Sequence, residues 1–355
     1  MNTETKKLMM ASDYQEGAHP NILRRLADNN LRPTTGYGTD DICDSARAKI
    51  REACKAPKAG VHFLIGGTQT NATVIDALLT SYQGVLAADS GHVNVHEAGA
   101  IEYTGHKVLA LPSKLGKITA AQIDGYVRDF YNDGNYEHMV MPGMVYLSQP
   151  TEYGTLYSLK ELEEISGVCR RHNIPLYVDG ARLAYALASP DNDVSLSDLA
   201  ALCDAFYIGG TKCGALLGEA VVLPDPDRIP HFFTIIKQHG ALLAKGWLLG
   251  IQFDELFGQD ENGGILYEHI GDAAISAAQT IKAALKNAGY QLYFDSPTNQ
   301  VFFIIENSKM ERLAEKAVFS YGEKYDETHS VIRFASSWAT TEENVQELVG
   351  VLEAL

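Results

Sequence analysis

The chain has 355 residues, a formal net charge of −16 and 46% hydrophobic residues. That length allows one large and one small domain, and the negative charge argues against nucleic acid and anionic membranes as partners. No apolar run reaches a membrane span, since the longest, 240–251, is broken by Lys245 and Gly246.

Residues 1 to about 18 read as an irregular arm with no apolar h-region, so no secretory signal is expected. Residues 20–29 carry Ile22, Leu23 and Leu26 at helical spacing, and a loop rich in Gly, Asn and Thr follows. A polar amphipathic helix is predicted over 45–56, a strand over 61–66, and a helix starting at 72. Further strands are predicted at 84–88, 107–111, 144–147, 176–178, 205–208 and 220–223, with helices between most of them, including 120–131 and 159–172. This alternation implies an α/β fold with a doubly wound, mainly parallel sheet. One long helix is predicted over 230–257. A helix over 270–288, strands over 291–294 and 301–305, a helix, a strand over 331–334 and a last helix then make a small α+β domain. The predicted division is 1–250, a large domain with the N-terminal arm, and 251–355, a small C-terminal domain. Five cysteines (Cys43, Cys54, Cys169, Cys203, Cys213) form no close pair, which predicts reduced thiols in a cytoplasmic protein.

Two segments carry the chemistry. Asp179 lies in Leu176-Tyr-Val-Asp-Gly-Ala-Arg, and Lys212 in Asp204-Ala-Phe-Tyr-Ile-Gly-Gly-Thr-Lys-Cys-Gly-Ala. Each reads as a short apolar strand with charged residues at its C-terminal end. Their separation, 212 − 179 = 33 residues, leaves room for one crossover between parallel strands. A carboxylate and an amine at neighbouring strand ends are what pyridoxal 5'-phosphate requires, for its pyridinium nitrogen and its Schiff base. A lone lysine there would read as a solvated surface residue.

Gly66-Gly-Thr-Gln-Thr-Asn follows a strand and opens a helix, where glycines and free N–H groups suit a phosphate. The plainer reading is a turn with Thr68 as N-cap. The segment is neither a Walker A loop nor a dinucleotide fingerprint, although a nucleotide-binding module built on it stays open. In Asp89-Ser-Gly-His-Val-Asn-Val-His-Glu-Ala-Gly-Ala, His92 is the candidate to lie on a cofactor ring and exchange protons, with His96 four residues on. A zinc motif fails because position 100 is alanine, and no metal site is expected. Arg182 and Arg333 adjoin apolar strands and are candidates for a substrate carboxylate. Cys213 reads as a small buried neighbour of Lys212.

In order, Gly-Thr-Gln-Thr-Asn, His92 with Glu97-Ala-Gly, Val-Asp-Gly-Ala-Arg-Leu and Gly-Thr-Lys-Cys-Gly-Ala resemble the threonine aldolase branch of the β-eliminating lyases, which are fold-type-I pyridoxal phosphate enzymes. The resemblance runs from Ser12 to about Arg333. It implies that Lys212 bonds the cofactor, Asp179 pairs with the pyridine nitrogen and His92 stacks on the ring. It further implies that Gly67 and Thr68 hold the phosphate, that Thr211 joins the cofactor set, and that Ser12, Arg182 and Arg333 clamp the substrate carboxylate. Tyr37 matches a tyrosine that such enzymes contribute from a neighbouring subunit, which implies a homodimer or homotetramer with sites at the interface.

The chain departs from the resembled pattern in three places. Leu147-Ser-Gln-Pro-Thr-Glu replaces Leu-Glu-Asn-Thr, and Ala241-Leu-Leu-Ala-Lys-Gly replaces Gly-Gly-Gly-Met-Arg-Gln. Lys245 stands for an arginine that reaches a neighbour's phosphate, without its forked contact. His138 is only an approximate counterpart of a second histidine near the substrate hydroxyl. The implied reaction is retro-aldol cleavage of a β-hydroxy-α-amino acid, threonine or allo-threonine by default, to glycine and an aldehyde, with His92 as base. Phenylserine-type substrates and β-elimination remain open alternatives.

Overall fold

A computed structural model describes residues 7–260 and 263–355; the first six residues of the arm lie outside the described residues. Seven strands build the large sheet: β1 (Gly60–Leu64), β2 (Gln83–Ala88), β3 (Lys107–Leu111), β4 (Met141–Ser148), β5 (Leu176–Asp179), β6 (Ala205–Gly209) and β7 (Glu219–Leu223). Their order is β1-β7-β6-β5-β4-β2-β3. All run parallel except β7, which is antiparallel to both neighbours. The central strands are buried on both faces, which is why they read as unbroken apolar runs rather than alternating ones.

Side chains still alternate between two cores. Val145, Leu147, Leu176, Val178, Phe206 and Ile208 face one core. Met144, Tyr146, Tyr177, Ala205 and Tyr207 face the other. Tyr146, Tyr177 and Tyr207 thus form a row across β4, β5 and β6, with ring centroids 5.9 and 6.4 Å apart. Capping boxes at Ser158/Glu161 and Ser195/Asp198 start the crossover helices Leu159–Arg171 and Leu196–Leu202.

The helix after β1 runs Gly67–Leu78, a turn earlier than predicted. Its first turn is polar and glycine-containing, so apolar periodicity cannot reveal it. The single helix predicted over 230–257 is instead two, Phe232–Gln238 and Trp247–Leu256. Gly240, at φ +68°, closes the first in a left-handed conformation. At Gly246 a Cβ would collide with the backbone of Gly38, so this glycine permits close approach of the 36–39 loop.

The C-terminal sheet contains β8 (Gln291–Leu292), β9 (Gln300–Glu306), β10 (Ser320–Lys324) and β11 (His329–Ala335), antiparallel in the order β10-β11-β9-β8. The exposed, polar β10 gave no apolar pattern and was not expected. The arm is not wholly irregular: Leu8–Met9 pairs in parallel with Ala317–Val318, and Leu8 and Met10 are buried in the small-domain core. The core beneath the large sheet continues through Phe253, Phe257, Tyr267 and Ile270 to Ile275, and the small-domain core resumes at Ala277. The predicted division at 250 therefore falls inside the continuous helix Trp247–Leu256, while the cores separate within the helix Asp272–Asn287.

Candidate active site

The C-terminal ends of β4, β5 and β6 open into one cavity of about 420 Å³, as expected for a sheet of this type. Gly67, Thr68, His92, Asp179, Arg182, Thr211 and Lys212 all line it. Ladder register sets Ser148 opposite Asp179, and β6 leads through Gly209 and Gly210 to Lys212.

Asp179 is buried, and burial alone would raise its pKa. His92 and hydrogen bonds from Tyr146, Tyr207 and Asn71 outweigh that and hold it below the ordinary carboxylate range. Oδ2 accepts from Tyr146 Oη at 2.6 Å and from Asn71 Nδ2 at 3.0 Å, while Oδ1 accepts from the Ala181 N–H at 2.9 Å. Asn71 also donates to Glu97 Oε1 at 2.7 Å, and the same oxygen lies 2.7 Å from His92 Nδ1. A carboxylate can only accept, so Glu97 orients the imidazole and leaves Nε2 for the cavity. On the other side, Ser148 Oγ lies 3.2 Å from Tyr146 Oη and 2.7 Å from Glu152 Oε1, which also accepts from the His92 N–H at 2.9 Å. Polar contacts run in a ring through His92, Glu97, Asn71, Asp179, Tyr146, Ser148, Glu152 and back to His92, with the one Ser148 proton serving either Glu152 or Tyr146 at a time.

Lys212 is half-buried, and desolvation, aided by Arg182, lowers its pKa against the pull of Asp13, Asp179 and Glu219. Its loop is anchored from below by Glu219, which accepts from the Gly210 N–H at 3.0 Å and Thr211 Oγ1 at 2.9 Å. Burial pushes the Glu219 carboxyl up to about 8 despite those bonds. The Thr211 hydroxyl is therefore committed to Glu219, so Thr211 holds the lysine loop rather than offering its hydroxyl proton to a cofactor.

Arg182 Nε and Nη2 grip Asp13 at 2.6 and 3.1 Å. Burial would raise Asp13, but Arg182 and Lys212 bring it down to about 2. This fork was expected for a substrate carboxylate; the arm's own Asp13 takes two of its three nitrogens. Arg333 donates to Gln300 Oε1 at 2.8 Å and to Ala11 O and Ser320 Oγ at 3.0 Å. Its Nε and the neighbouring Ser12 Oγ are both buried without a hydrogen-bond partner among the described residues. A buried guanidinium N–H and a hydroxyl left unpaired on adjacent segments are suited to an anionic oxygen. Arg333 itself lines an adjoining cavity of about 490 Å³ with Tyr153, Tyr293, Phe302 and Tyr321.

Ser12 and Arg333 are not among the residues lining this cavity, and three more expected residues lie away from it. Tyr37 and Lys245 lie near each other, since the Tyr37 N–H donates to Ala244 O at 3.0 Å, but Tyr37 lines a separate small pocket and Lys237 covers its ring at 4.4 Å. His138 is a correction. It ends the 3-10 turn Tyr136–His138 just before β4, whereas the site lies at the far end of that eight-residue strand. At about 3.3 Å per residue, the strand separates them by more than 20 Å or so.

The residues fit pyridoxal phosphate on structural grounds. The helix Gly67–Leu78 has no side-chain cap, so its first N–H groups and positive end are free for a phosphate. A Cβ at Gly67 would sit 3.2 Å from Tyr207 Oη, so the turn is kept small where the backbone faces the cavity. A partly desolvated amine and an ionised carboxylate supported by three side-chain donors share the same space.

A family model described as beta-eliminating lyase matches residues 10–306. The chain belongs to the β-eliminating lyase family. Among relatives of this lyase, the low specificity L-threonine aldolase of Pseudomonas aeruginosa is 30% identical over 343 residues, covering 95% of each chain. The solved threonine aldolase of Leishmania major superposes with a TM-score of 0.93 at 41% identity, covering 98% of each chain. Aspartate aminotransferase from Thermus thermophilus, with a TM-score of 0.71 at 14% identity over 98% of this chain and 91% of its own, shares the fold.

Several residues of the lyase's site escaped sequence reasoning. Asn71 and Glu97 stood inside the quoted motifs, but nothing local says that one amide joins two carboxylates. Tyr146 and Tyr207 read as apolar strand residues. Asp13 was passed over for its neighbour Ser12. Glu152 was visible as part of the departing Leu147-Ser-Gln-Pro-Thr-Glu segment. The turn after β4 brings its carboxyl back to Ser148, the position where the resembled pattern has glutamate.

Proposed function

We propose that this lyase uses pyridoxal 5'-phosphate to cleave a β-hydroxy-α-amino acid of the L-threonine or L-allo-threonine type to glycine and an aldehyde. The observation that carries the reading is the convergence of Lys212 and Asp179 in one cavity whose wall includes the free N-terminus of the helix Gly67–Leu78. The aldolase names of the Pseudomonas and Leishmania relatives support the reaction type. When bound, the cofactor supplies a sink for the electron pair released from the Cα–Cβ bond.

The chain's own residues do the rest. Desolvation favours the neutral amine of Lys212, which makes it the nucleophile for the cofactor aldehyde. Asp179, kept ionised by its three side-chain donors, is the partner for a protonated ring nitrogen. His92, steadied by Glu97, is the group to cover the ring face. The Gly67 and Thr68 N–H groups take the phosphate. Arg333 Nε, Ser12 Oγ and the remaining Nη1 of Arg182 take the substrate carboxylate, which fixes the Cα substituents relative to the ring.

A phenylserine-type substrate is a second reading, favoured by the aromatic side chains Tyr153, Tyr293, Phe302 and Tyr321 in the adjoining cavity. Assembly as a homodimer or homotetramer is also proposed; Tyr37, solvent-exposed and outside its own chain's cavity, is positioned to serve a neighbour. No helix among the described residues is long and apolar enough to cross a membrane. All five cysteines are free and buried, which supports a cytoplasmic setting.

The test is purified protein with and without added pyridoxal phosphate, scored for glycine and aldehyde from a panel of β-hydroxy amino acids. Glycine release that depends on cofactor and is abolished by Lys212→Ala supports the reading. The corresponding 2-oxo acid and ammonia as products would replace it with β-elimination.

A further inference from the structure

We propose that Glu152, rather than His92, accepts the proton of the substrate's β-hydroxyl, and that Ser148 and Tyr146 connect it to Asp179. The inference rests on the reading under Proposed function and deepens it. With the substrate amine drawn to Lys212 and its carboxylate to Arg333 and Ser12, the β-carbon is left facing the junction of the two cavities. Among the described residues, only His96 and Glu152 line both.

His96 is exposed, and among the described residues no hydrogen bond holds its ring. Glu152 is held in place. The turn that carries it is pinned by Gln149, whose amide pairs with the Tyr157 backbone at 3.0 and 2.9 Å, and by Thr298 Oγ1 donating to Gly154 O at 2.8 Å. His92 has its Nδ1 committed to Glu97 and its ring to the cofactor face. A base must be fixed within reach of the proton it takes, and Glu152 is the anchored carboxyl at that junction. Burial first, and the nearby Asp179 charge, raise its proton affinity above that of an ordinary glutamate despite the Ser148 bond.

The hydroxyl contacts give the carboxyl two distinct states. Ser148 has one proton and two possible acceptors, Glu152 Oε1 at 2.7 Å and Tyr146 Oη at 3.2 Å. With Glu152 ionised, Ser148 donates to it. Once Glu152 is protonated it donates to Ser148, Ser148 turns to Tyr146, and Tyr146 continues to donate to Asp179 at 2.6 Å. In the reaction, the substrate O–H bond breaks and a Glu152 O–H bond forms. The oxygen's electron pair becomes the aldehyde C=O bond as Cα–Cβ breaks. The proton on Glu152 then passes through water to the neutral Lys212 amine, which delivers it to Cα and ends neutral again. One proton thus passes from oxygen to carbon overall.

Glu152→Gln in the cofactor-loaded enzyme tests this. Cleavage is expected to fall about 10²- to 10⁴-fold, while exchange of glycine's α-protons with deuterated water, which involves no β-hydroxyl, falls less than about threefold. Infrared titration of the protein without cofactor should show carboxylic C=O absorption persisting above the ordinary carboxylate range from Glu219 and from Glu152, and the Glu152 component should be absent in Glu152→Gln and shifted in Ser148→Ala. Ser148→Ala, a smaller change, should show the same split between cleavage and exchange in milder form. Retained cleavage in Glu152→Gln, equal loss of cleavage and exchange in a variant with unchanged melting temperature, or a cleavage-specific loss in His96→Phe instead would overturn the assignment. Wild-type protein that cleaves no β-hydroxy amino acid would sink the functional reading, whereas the infrared band tests Glu152 independently.

Discussion

Tyr146 and Asp179 sit on neighbouring strands with the phenol oxygen 2.6 Å from the carboxylate, in an interior where both side chains are buried. Burial and the adjacent Asp179 charge raise the Tyr146 pKa far above the usual phenol value, so the hydroxyl remains a donor at any working pH. Tyr146→Phe removes one donor and leaves Asn71, Tyr207 and the Ala181 N–H. A hydrogen bond to a charged group contributes about 1.5–3 kcal/mol. Cofactor affinity is therefore expected to fall about tenfold or more, measured by absorbance titration, with the polypeptide still folded.

Asp13 joins the arm to both domains, through Arg182 and through Asn299 Nδ2 at 2.9 Å. Asp13→Asn leaves a buried guanidinium without its counter-charge, a loss of about 3–5 kcal/mol that thermal melting would register. The wild type carries the matching pH signature. Its folded pKa, about 2, is depressed from 3.8, so the stabilisation is complete above pH 3.8 and disappears as pH falls from there through about 2. About 2 kcal/mol of acid sensitivity should vanish in the variant.

Glu219 behaves in the opposite sense. Its pKa is raised from 4.5 to about 8, so its contribution is intact below pH 4.5 and is lost as pH climbs through 8. Glu219→Gln keeps one acceptor oxygen for the Gly210 N–H, and its NH2 can donate to Thr211 Oγ1, while the titration is removed. The fall in melting temperature between pH 5 and 9 should flatten, and an unchanged slope would locate the titrating group elsewhere.

Gly180 tests the strand spacing that sets the cofactor pocket. A Cβ there would run into the Tyr207 carbonyl oxygen on β6, a backbone atom that cannot rotate aside. Gly180→Ala should cost about 1–3 kcal/mol or more by overpacking, and should lower both melting temperature and cofactor loading because Asp179 immediately precedes it.

Shared active sites predict complementation. If Tyr37 serves the neighbouring subunit, Lys212→Ala and Tyr37→Ala are each defective alone. Random mixing of the two in a twofold assembly leaves about one quarter of the sites intact, and activity should recover to that level. Recovery of nothing would return Tyr37 to a role within its own chain.

The amino-acid sequence determined the mainly parallel sheet, because buried parallel strands must be apolar and their crossovers helical. It also located Asp179, Lys212, His92 and the Gly67 turn, since motif chemistry at strand ends is local. Tertiary structure alone decided what surrounds them. Residues as distant in sequence as Asn71, Glu97, Tyr146 and Asp179 form one hydrogen-bonded chain because ladder register, which no periodicity records, sets neighbours across strands. The same holds for Arg182, whose fork is occupied by an arm residue 169 positions away, and for His138, which the direction of β4 carries to the wrong end of the sheet. Sequence names groups able to do chemistry; only packing fixes which of them meet, because contact depends on where strands end and which way they run.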